Sequence, residues 1–549
     1  MHVSLREYVE WALLALLAAG ALSARPAAVR LARRALTYLN QAGRRPQAAA
    51  LALLGAGFST SALVSVAVPY FPFIQDEFSY LLGADTFASG RLTSPPHPMG
   101  EHFETFQQLQ QPSRQSKYPP AQAAMLAAGQ IISGHAIVGV WLSMGLAGAA
   151  AFWAARAFLP AGWALLVGAA PLLRLGVFEG ESGDYFMWSR AYWGGAVAFI
   201  GGALVYGAAL RLLDRDKARD AWLLAAGIIV LVNSRPFEAM FAVAPAAAVL
   251  TWTWLRRNPA ASILAALAAG LSLGVTVTLL YNSAVTGDPL RLPYVEYERQ
   301  YEVAPALIFL PLRPEPEYRN EPMRHWHAEN RVGVYRERRA SRTFRLEDLP
   351  ATLKFFLGPV LFIGLLAAAP RALHDWRLRL AAAAVALTYL SQALTLPPAV
   401  APHYVAPAAP LLYILAIAGL RRMAASGRGR TFVSGAIVIL LLGFALSLIA
   451  NKRLTDQAGK RFGEHRYDIQ QQLEAKSGRH LVLVRYSAEH PSWQEWVYNR
   501  ADIDASKLVW ARELTPEKNQ RLLDYFADRQ AWLIEPDRDA RLLIPYPRR

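Results

Sequence analysis

Apolar runs long enough, or nearly long enough, to cross a hydrocarbon core of about 30 Å recur from residue 8 to residue 450. They fall at 8–24, 47–70, 121–157 (one long or broken element), 160–175, 194–212, 220–233, 237–255, 260–284, 352–370, 378–396, 400–420 and 431–450. This pattern predicts an α-helical polytopic membrane protein of about twelve transmembrane helices with large outer-face loops, followed by a small C-terminal α/β domain. Composition agrees: 54% of the 549 residues are hydrophobic and 18% charged, which excludes a disordered chain. No cysteine is present, so a disulfide-stapled secreted scaffold is excluded too. The net charge of +16 raises a nucleic-acid partner, but most basic residues sit in short loops between apolar runs. A nucleic-acid surface gathers them on one face or tail, so no such partner is expected.

The short loops set the orientation, because lysine and arginine concentrate on the cytoplasmic side. Segment 25–46 holds Arg25, Arg30, Arg33, Arg34, Arg44 and Arg45 and no acidic residue. Alternation from there puts Arg156, Arg211 to Arg219, Arg256 and Arg257, Arg371 to Arg379, and Arg421 to Arg430 on the same side. The opposite, extracytoplasmic side of the inner membrane receives 71–118, the acidic turn with Glu179, Glu181 and Asp184, the loop 285–350 and the tail 451–549. Small residues Ala21 to Ala24 could end a cleaved signal peptide. Cleavage would strand the six-arginine segment outside, so a retained helix is expected. The tail reads as a separate soluble α/β piece. A helical stretch over Lys452 to Ala475 precedes strand-like runs at Leu481–Tyr486, Lys507–Ala511, Ala531–Ile534 and Leu542–Tyr546, and Thr515-Pro516 starts a helix.

Chemistry concentrates at Gln75-Asp76-Glu77, just beyond the outer end of 47–70. Phe78, Leu81, Leu82 and Phe87 follow at helical spacing, which predicts an amphipathic helix on the outer membrane surface. The positive end of the helix dipole favours an ionised Asp76, and an ionised carboxylate there suits a general base acting on a hydroxyl. The alternative is that Asp76 caps the helix and Glu77 decorates its first turn. His97 and His102, with Glu101 and Glu104, match no strong zinc spacing, and no metal is expected. His325-Trp326-His327, read as a strand, points both histidines to one face, although an exposed charged loop explains it as well. The loop 285–350, with eleven basic and eleven acidic residues, is rich in tyrosine and arginine, which suits sugar stacking and phosphate contact or packing onto the bundle.

The layout resembles the GT-C superfamily of membrane glycosyltransferases that use polyprenyl-phosphate sugars, especially the protein O-mannosyltransferase and lipopolysaccharide-sugar transferase branch. Three motifs carry the resemblance. Phe73 to Tyr80 looks like the acidic pair on a helix of the first outer loop, Ser116-Lys117-Tyr118-Pro119-Pro120 like the proline-bearing start of the next element, and His403-Tyr404-Val405-Ala406-Pro407-Ala408-Ala409-Pro410 like the start of a late helix. The likeness covers roughly 47–450, with 1–46 an extra N-terminal helix and basic cytoplasmic loop. Histidine stands at 403, where arginine is common.

The resemblance implies an inverting transfer on the extracytoplasmic face from a polyprenyl-phosphate donor to a hydroxyl of a glycan, lipid or protein acceptor. No further cofactor is implied. Asp76, with Glu77 beside it, would act as the base. Lys117, Tyr118, Arg235, His403 and Tyr404 would contact the donor phosphate or substrate, since a leaving phosphate needs positive charge or donors nearby. One of Glu179, Glu181 and Asp184 would be a second functional carboxylate. Bland alternatives stand beside each: Lys117 as a snorkelling interfacial anchor, Arg235 paired with Glu238, His403 hydrogen-bonded within the bundle, and the three acids as a solvated turn. At the level of the whole chain the alternatives are a transporter or flippase for lipid-linked saccharides, or a glycan polymer ligase.

Overall fold

The computed structural model describes residues 5–22, 26–176, 188–340, 348–396, 402–457, 462–487, 489–491 and 494–547. The chain opens with α1 (Leu5–Leu22), α2 (Pro26–Gly43), α3 (Pro46–Ala67) and α4 (Gln75–Ala88), then a short antiparallel pair, β1 (Gln108–Leu109) and β2 (Gln115–Ser116). There follow α5 (Pro120–Ser133), α6 (Ile137–Ala155), α7 (Ala161–Leu175), α8 (Ala196–Asp214), α9 (Ala218–Val232), α10 (Pro236–Arg257), α11 (Ala261–Thr286), α12 (Pro293–Tyr301), α13 (Glu321–Arg324) and α14 (Arg331–Ala340). After α15 (Leu349–Ala372), α16 (Trp376–Ser391), α17 (Ala409–Met423) and α18 (Gly427–Gln457), the tail adds α19 (Phe462–Ala475), β3 (Arg479–Val484), β4 (Leu508–Arg512), α20 (Pro516–Tyr525), β5 (Arg529–Ile534), α21 (Pro536–Asp539) and β6 (Leu543–Pro545). They form two compact units: residues 1–69, 137–277 and 341–454, and residues 70–136, 278–340 and 455–549.

The first unit holds most of the apolar helices. Among the described residues, α3, α6, α8, α10, α11, α15 and α18 are long and apolar enough to cross a membrane, and Tyr8–Ala21 and Ala161–Leu175 are shorter apolar helices. The chain is an α-helical integral membrane protein. One expectation changes, and of the two forms left open for 121–157 the broken one is found. Segment 25–46 is not an irregular loop but contains α2, whose Val29, Ala32, Leu36, Leu39 and Gly43 recur at helical spacing between arginines, themselves good helix formers. The run 121–157 is cut at Gly134, which closes α5 in the left-handed conformation (φ 80°). Within α15, Gly358 (φ 59°) and Pro359 break the helical ladder. The Arg174 guanidinium, 2% exposed, answers that break by donating to the carbonyls of Lys354 and Phe355, four residues earlier.

The second unit is built round the tail sheet, ordered β4-β3-β5-β6, with β3 parallel to β4 and β5, and β6 antiparallel to β5. Alternate residues of β3 enter two cores: Leu481 and Leu483 pack with Leu522 and Phe526, while Val482 and Val484 pack with Ile469, Leu473 and Trp496. The sheet does not stand alone. Phe103, from the 71–118 segment, joins the Leu481 core, and Arg114 donates to the carbonyls of Asn499, Arg500 and Ala501. Helix α4 also differs from the expected surface helix. Gln75, Glu77, Ser79 and Thr86 are buried along with Phe78, Tyr80 and Leu82, so polar and apolar faces alike are enclosed. Phe78 stacks on Tyr498 at 4.1 Å, and Gly83 lets α5 approach, since a Cβ there would lie 2.8 Å from that of Ala123.

Candidate active site

Ile74 takes the cap position of α4, and Asp76 and Glu77 both fall in the first turn. Their environments diverge. Glu77 is fully buried, accepting from the Tyr70 hydroxyl at 2.7 Å and the Phe73 amide at 3.4 Å, so it pins the chain entering the helix. Asp76 is half-buried and accepts from the Tyr118 hydroxyl on Oδ1. Tyr118 is stacked on Tyr80 at 4.6 Å; burial, then the charge of Asp76, hold its phenol well above the usual tyrosine range, so it stays a donor.

Lys117 is buried rather than snorkelling, with Nζ 4.8 Å and 4.5 Å from the ring centroids of Tyr294 and Tyr297. Its carboxylate neighbour is Glu302 at 3.8 Å, which Arg331 meets more closely at 2.9 Å. Burial pushes Lys117 down, and Glu302 at that distance only partly restores it. For Glu302 burial acts upward, but Arg331 and Lys117 together outweigh it and hold the carboxyl at about 2. The result is a cation in an aromatic cage, backed by a buried acid.

A second constellation lies in the first unit. The Arg235 guanidinium sits 4.6 Å from the Tyr404 ring centroid, Tyr404 packs on His403 at 4.6 Å, and His403 on Trp193 at 4.8 Å. Arg235 caps α10 in the tight turn after α9, and its charge also acts on Glu238, one turn into α10. The His403–Pro410 segment is seated by α8: a Cβ at Gly202 would collide with the Pro407 carbonyl oxygen.

No family model matches the chain, and no curated protein matches it. Solved structures do. That of ArnT from Cupriavidus metallidurans bound to undecaprenyl phosphate aligns over 88% of this chain and 93% of that one, at 12% identity and a TM-score of 0.52. The same protein in the apo state aligns over 88% and 92%, at 14% identity and a TM-score of 0.50. The chain has the fold of these ArnT structures. The archaeal oligosaccharyltransferase AglB from Archaeoglobus fulgidus, in complex with an inhibitory peptide and a dolichol-phosphate, also aligns over 88% of this chain and 69% of that one, at 12% identity and a TM-score of 0.43.

On this fold the sequence-predicted residues fall into two sets. Asp76, Glu77, Lys117 and Tyr118 lie in the second unit; Arg235, His403 and Tyr404 are brought together in the first. Glu179, Glu181 and Asp184 lie outside the described residues. His97, Glu101 and His102 tie the first loop to the tail, through Asp504, Lys518 and the Arg512 carbonyl respectively, and Glu104 accepts from Tyr301 and Asn320. His325-Trp326-His327 is not a strand: it opens a π-helical turn in which His325 is exposed beside Glu329 while His327 is buried against Tyr297. Glu302, Arg331, Tyr294 and Trp193 escaped sequence reasoning. Only the tyrosine and arginine density of 285–350 hinted at the first three.

Proposed function

We propose that this GT-C chain is an integral membrane glycosyltransferase that moves a sugar from a polyprenyl-phosphate donor to an acceptor hydroxyl on the extracytoplasmic face, with inversion. The observation that carries the reading is the fold shared with an ArnT structure that holds undecaprenyl phosphate. Asp76 is the base: Tyr118 fixes Oδ1, and among the described residues no hydrogen bond is seen on Oδ2, which is left for the acceptor proton. The acceptor oxygen bonds to the anomeric carbon as the bond from that carbon to the phosphate oxygen breaks. The proton passes to Asp76, and polyprenyl phosphate leaves. Lys117, in the same unit as Asp76, supplies positive charge for the departing phosphate, and the set of Arg235, Tyr404 and His403 in the first unit is by itself a second candidate phosphate contact. Glu77 acts by positioning the turn that carries Asp76.

The test is transfer in proteoliposomes supplied with polyprenyl-phosphate sugars. Asp76→Asn should lower product formation by roughly a hundredfold or more, the range of a lost general base. Undiminished transfer in that variant sinks Asp76 as the base. A labelled lipid crossing the bilayer with no glycosidic product would instead identify a flippase.

A further inference from the structure

We infer that α2 lies in the headgroup layer of the leaflet at the basic end of the helices and, with the cavity beneath it, binds anionic phospholipid. The helix has three faces. Val29, Ala32, Leu36, Leu39 and Gly43 form the first, which packs inward. A second, at 31, 35, 38 and 42, is apolar yet exposed: Leu31 is 69% and Tyr38 70% accessible. The third carries Arg30, Arg33 and Arg34, all exposed, and residues 25–46 contain no acid. An apolar stripe alongside a purely basic one on a protein-anchored helix is the pattern of a helix lying in the interface of an anionic membrane.

Its contacts set its direction. Val29 faces Gly427, the first residue of α18, with 3.7 Å to a Cβ placed there. Eleven residues later, about 16 Å along the axis, Asn40 accepts from the amide of Gly162 at the start of α7, and Gly43 accepts from Arg156 between α6 and α7. These contacts fall at the first residues of α18 and α7 and in the turn before α7, all at the end where short arginine loops gather. Between α2 and those ends is a cavity of about 250 Å³ lined by Leu36, Asn40, Trp163 and Arg421 among others. An arginine and an amide for a phosphate, and a tryptophan at interfacial depth, suit one lipid headgroup.

The full-length protein, delipidated in neutral detergent, is offered dioleoyl-phosphatidylglycerol or dioleoyl-phosphatidylcholine, and retained lipid is counted by native mass spectrometry. Phosphatidylglycerol should be preferred. The triple variant Arg30→Gln/Arg33→Gln/Arg34→Gln should weaken it by roughly a hundredfold, at about fivefold per arginine. The corresponding triple lysine variant should keep binding, and Arg421→Gln should lower it. Equal retention of the two lipids, an unaffected glutamine triple, loss in the lysine triple as well, or displacement by millimolar inorganic phosphate would each overturn the inference. The readout is independent of glycosyl transfer.

Discussion

Replacing Glu302 by glutamine tests the energetics of the caged lysine. The carboxylate is buried between Arg331 at 2.9 Å and Lys117 at 3.8 Å, and it is held at about 2 against an ordinary value of 4.5. That depression corresponds to on the order of 3 kcal/mol of stability. Taking the acid away from the buried Lys117 and the half-buried Arg331 puts the cost of Glu302→Gln at roughly 3–5 kcal/mol. For a unit of this size the midpoint should fall by roughly 10 °C, read by fluorescence-detected size exclusion after heating in detergent. The folded value lies below the unfolded one, so the contribution is full above about pH 4.5 and is lost as pH falls toward 2. The variant should lack that acid slope. Adding Arg331→Gln to Glu302→Gln should recover part of the loss, because the closer of the two cations then no longer faces the missing acid. Equal midpoints for wild type and Glu302→Gln at neutral pH would refute the reasoning.

Burial holds His327 at about 3, against an ordinary 6.5, so the folded state keeps it neutral while the unfolded chain protonates. Wild type should therefore lose about 2 kcal/mol between pH 6.5 and 5 that His327→Gln does not, as measured by denaturant melts at the two pH values. Arg174→Met leaves the Lys354 and Phe355 carbonyls beside the Gly358 break without their donor, and thermal melts should show a loss of roughly 3 kcal/mol or more. Gly202→Ala drives a methyl into the Pro407 carbonyl and should lower both melting temperature and any transfer activity, because it displaces the segment carrying His403 and Tyr404. The chain contains no cysteine, so Arg34→Cys and Glu517→Cys can be probed without background. An impermeant maleimide added to intact cells should label only Glu517→Cys.

Run length, more than residue detail, made the spanning helices readable. An uninterrupted apolar stretch survives any uncertainty about which face is which, and α3, α8, α10, α11 and α15 begin and end within a few residues of the runs that predict them. Helix α2 was hidden because arginine marks topology and also favours helix; its inward face shows only when positions 29, 32, 36, 39 and 43 are taken together. The tail strands were legible as short apolar runs, whereas the contribution of Phe103 to their core is a contact across hundreds of residues that no local pattern encodes. The same limit applies to the site. Asp76 stands out as an acid just past a spanning run, while Glu302 is one of eleven acids in its loop and differs only by being enclosed with Lys117 and Arg331. Arg235 and Tyr404 are separated by almost the whole second half of the bundle, and only folding puts guanidinium on ring.

The surplus of arginine has a second use beyond marking topology. Arg114 donates to the Asn499 and Arg500 carbonyls at 2.9 Å and 2.7 Å, Arg466 to those of Trp496 and Tyr498 at 2.9 Å each, and Arg529 to those of Ser506 and Asp504 at 2.7 Å and 2.8 Å. All three are buried and all lie in the second unit, where the large loops and the tail must be held together without a disulfide. A guanidinium is planar, always charged and rich in donors, so it can fasten two or three carbonyls of an irregular segment at once. At about 1.5–3 kcal/mol for each hydrogen bond to a charged group, two such bonds give about 3–6 kcal/mol before the cost of burying the guanidinium, the same order as the 2–4 kcal/mol typical of a disulfide. The two ties differ in kind. A disulfide acts largely by restricting the unfolded chain, whereas these arginines act only in the folded state, by satisfying carbonyls that burial would otherwise leave unpaired. Arg190, donating to the Val68 carbonyl at 2.9 Å where α3 ends, applies the same device in the first unit. Buried arginine thus stabilises the places where regular structure stops, and those ends include the end of α3, from which the chain continues to Asp76.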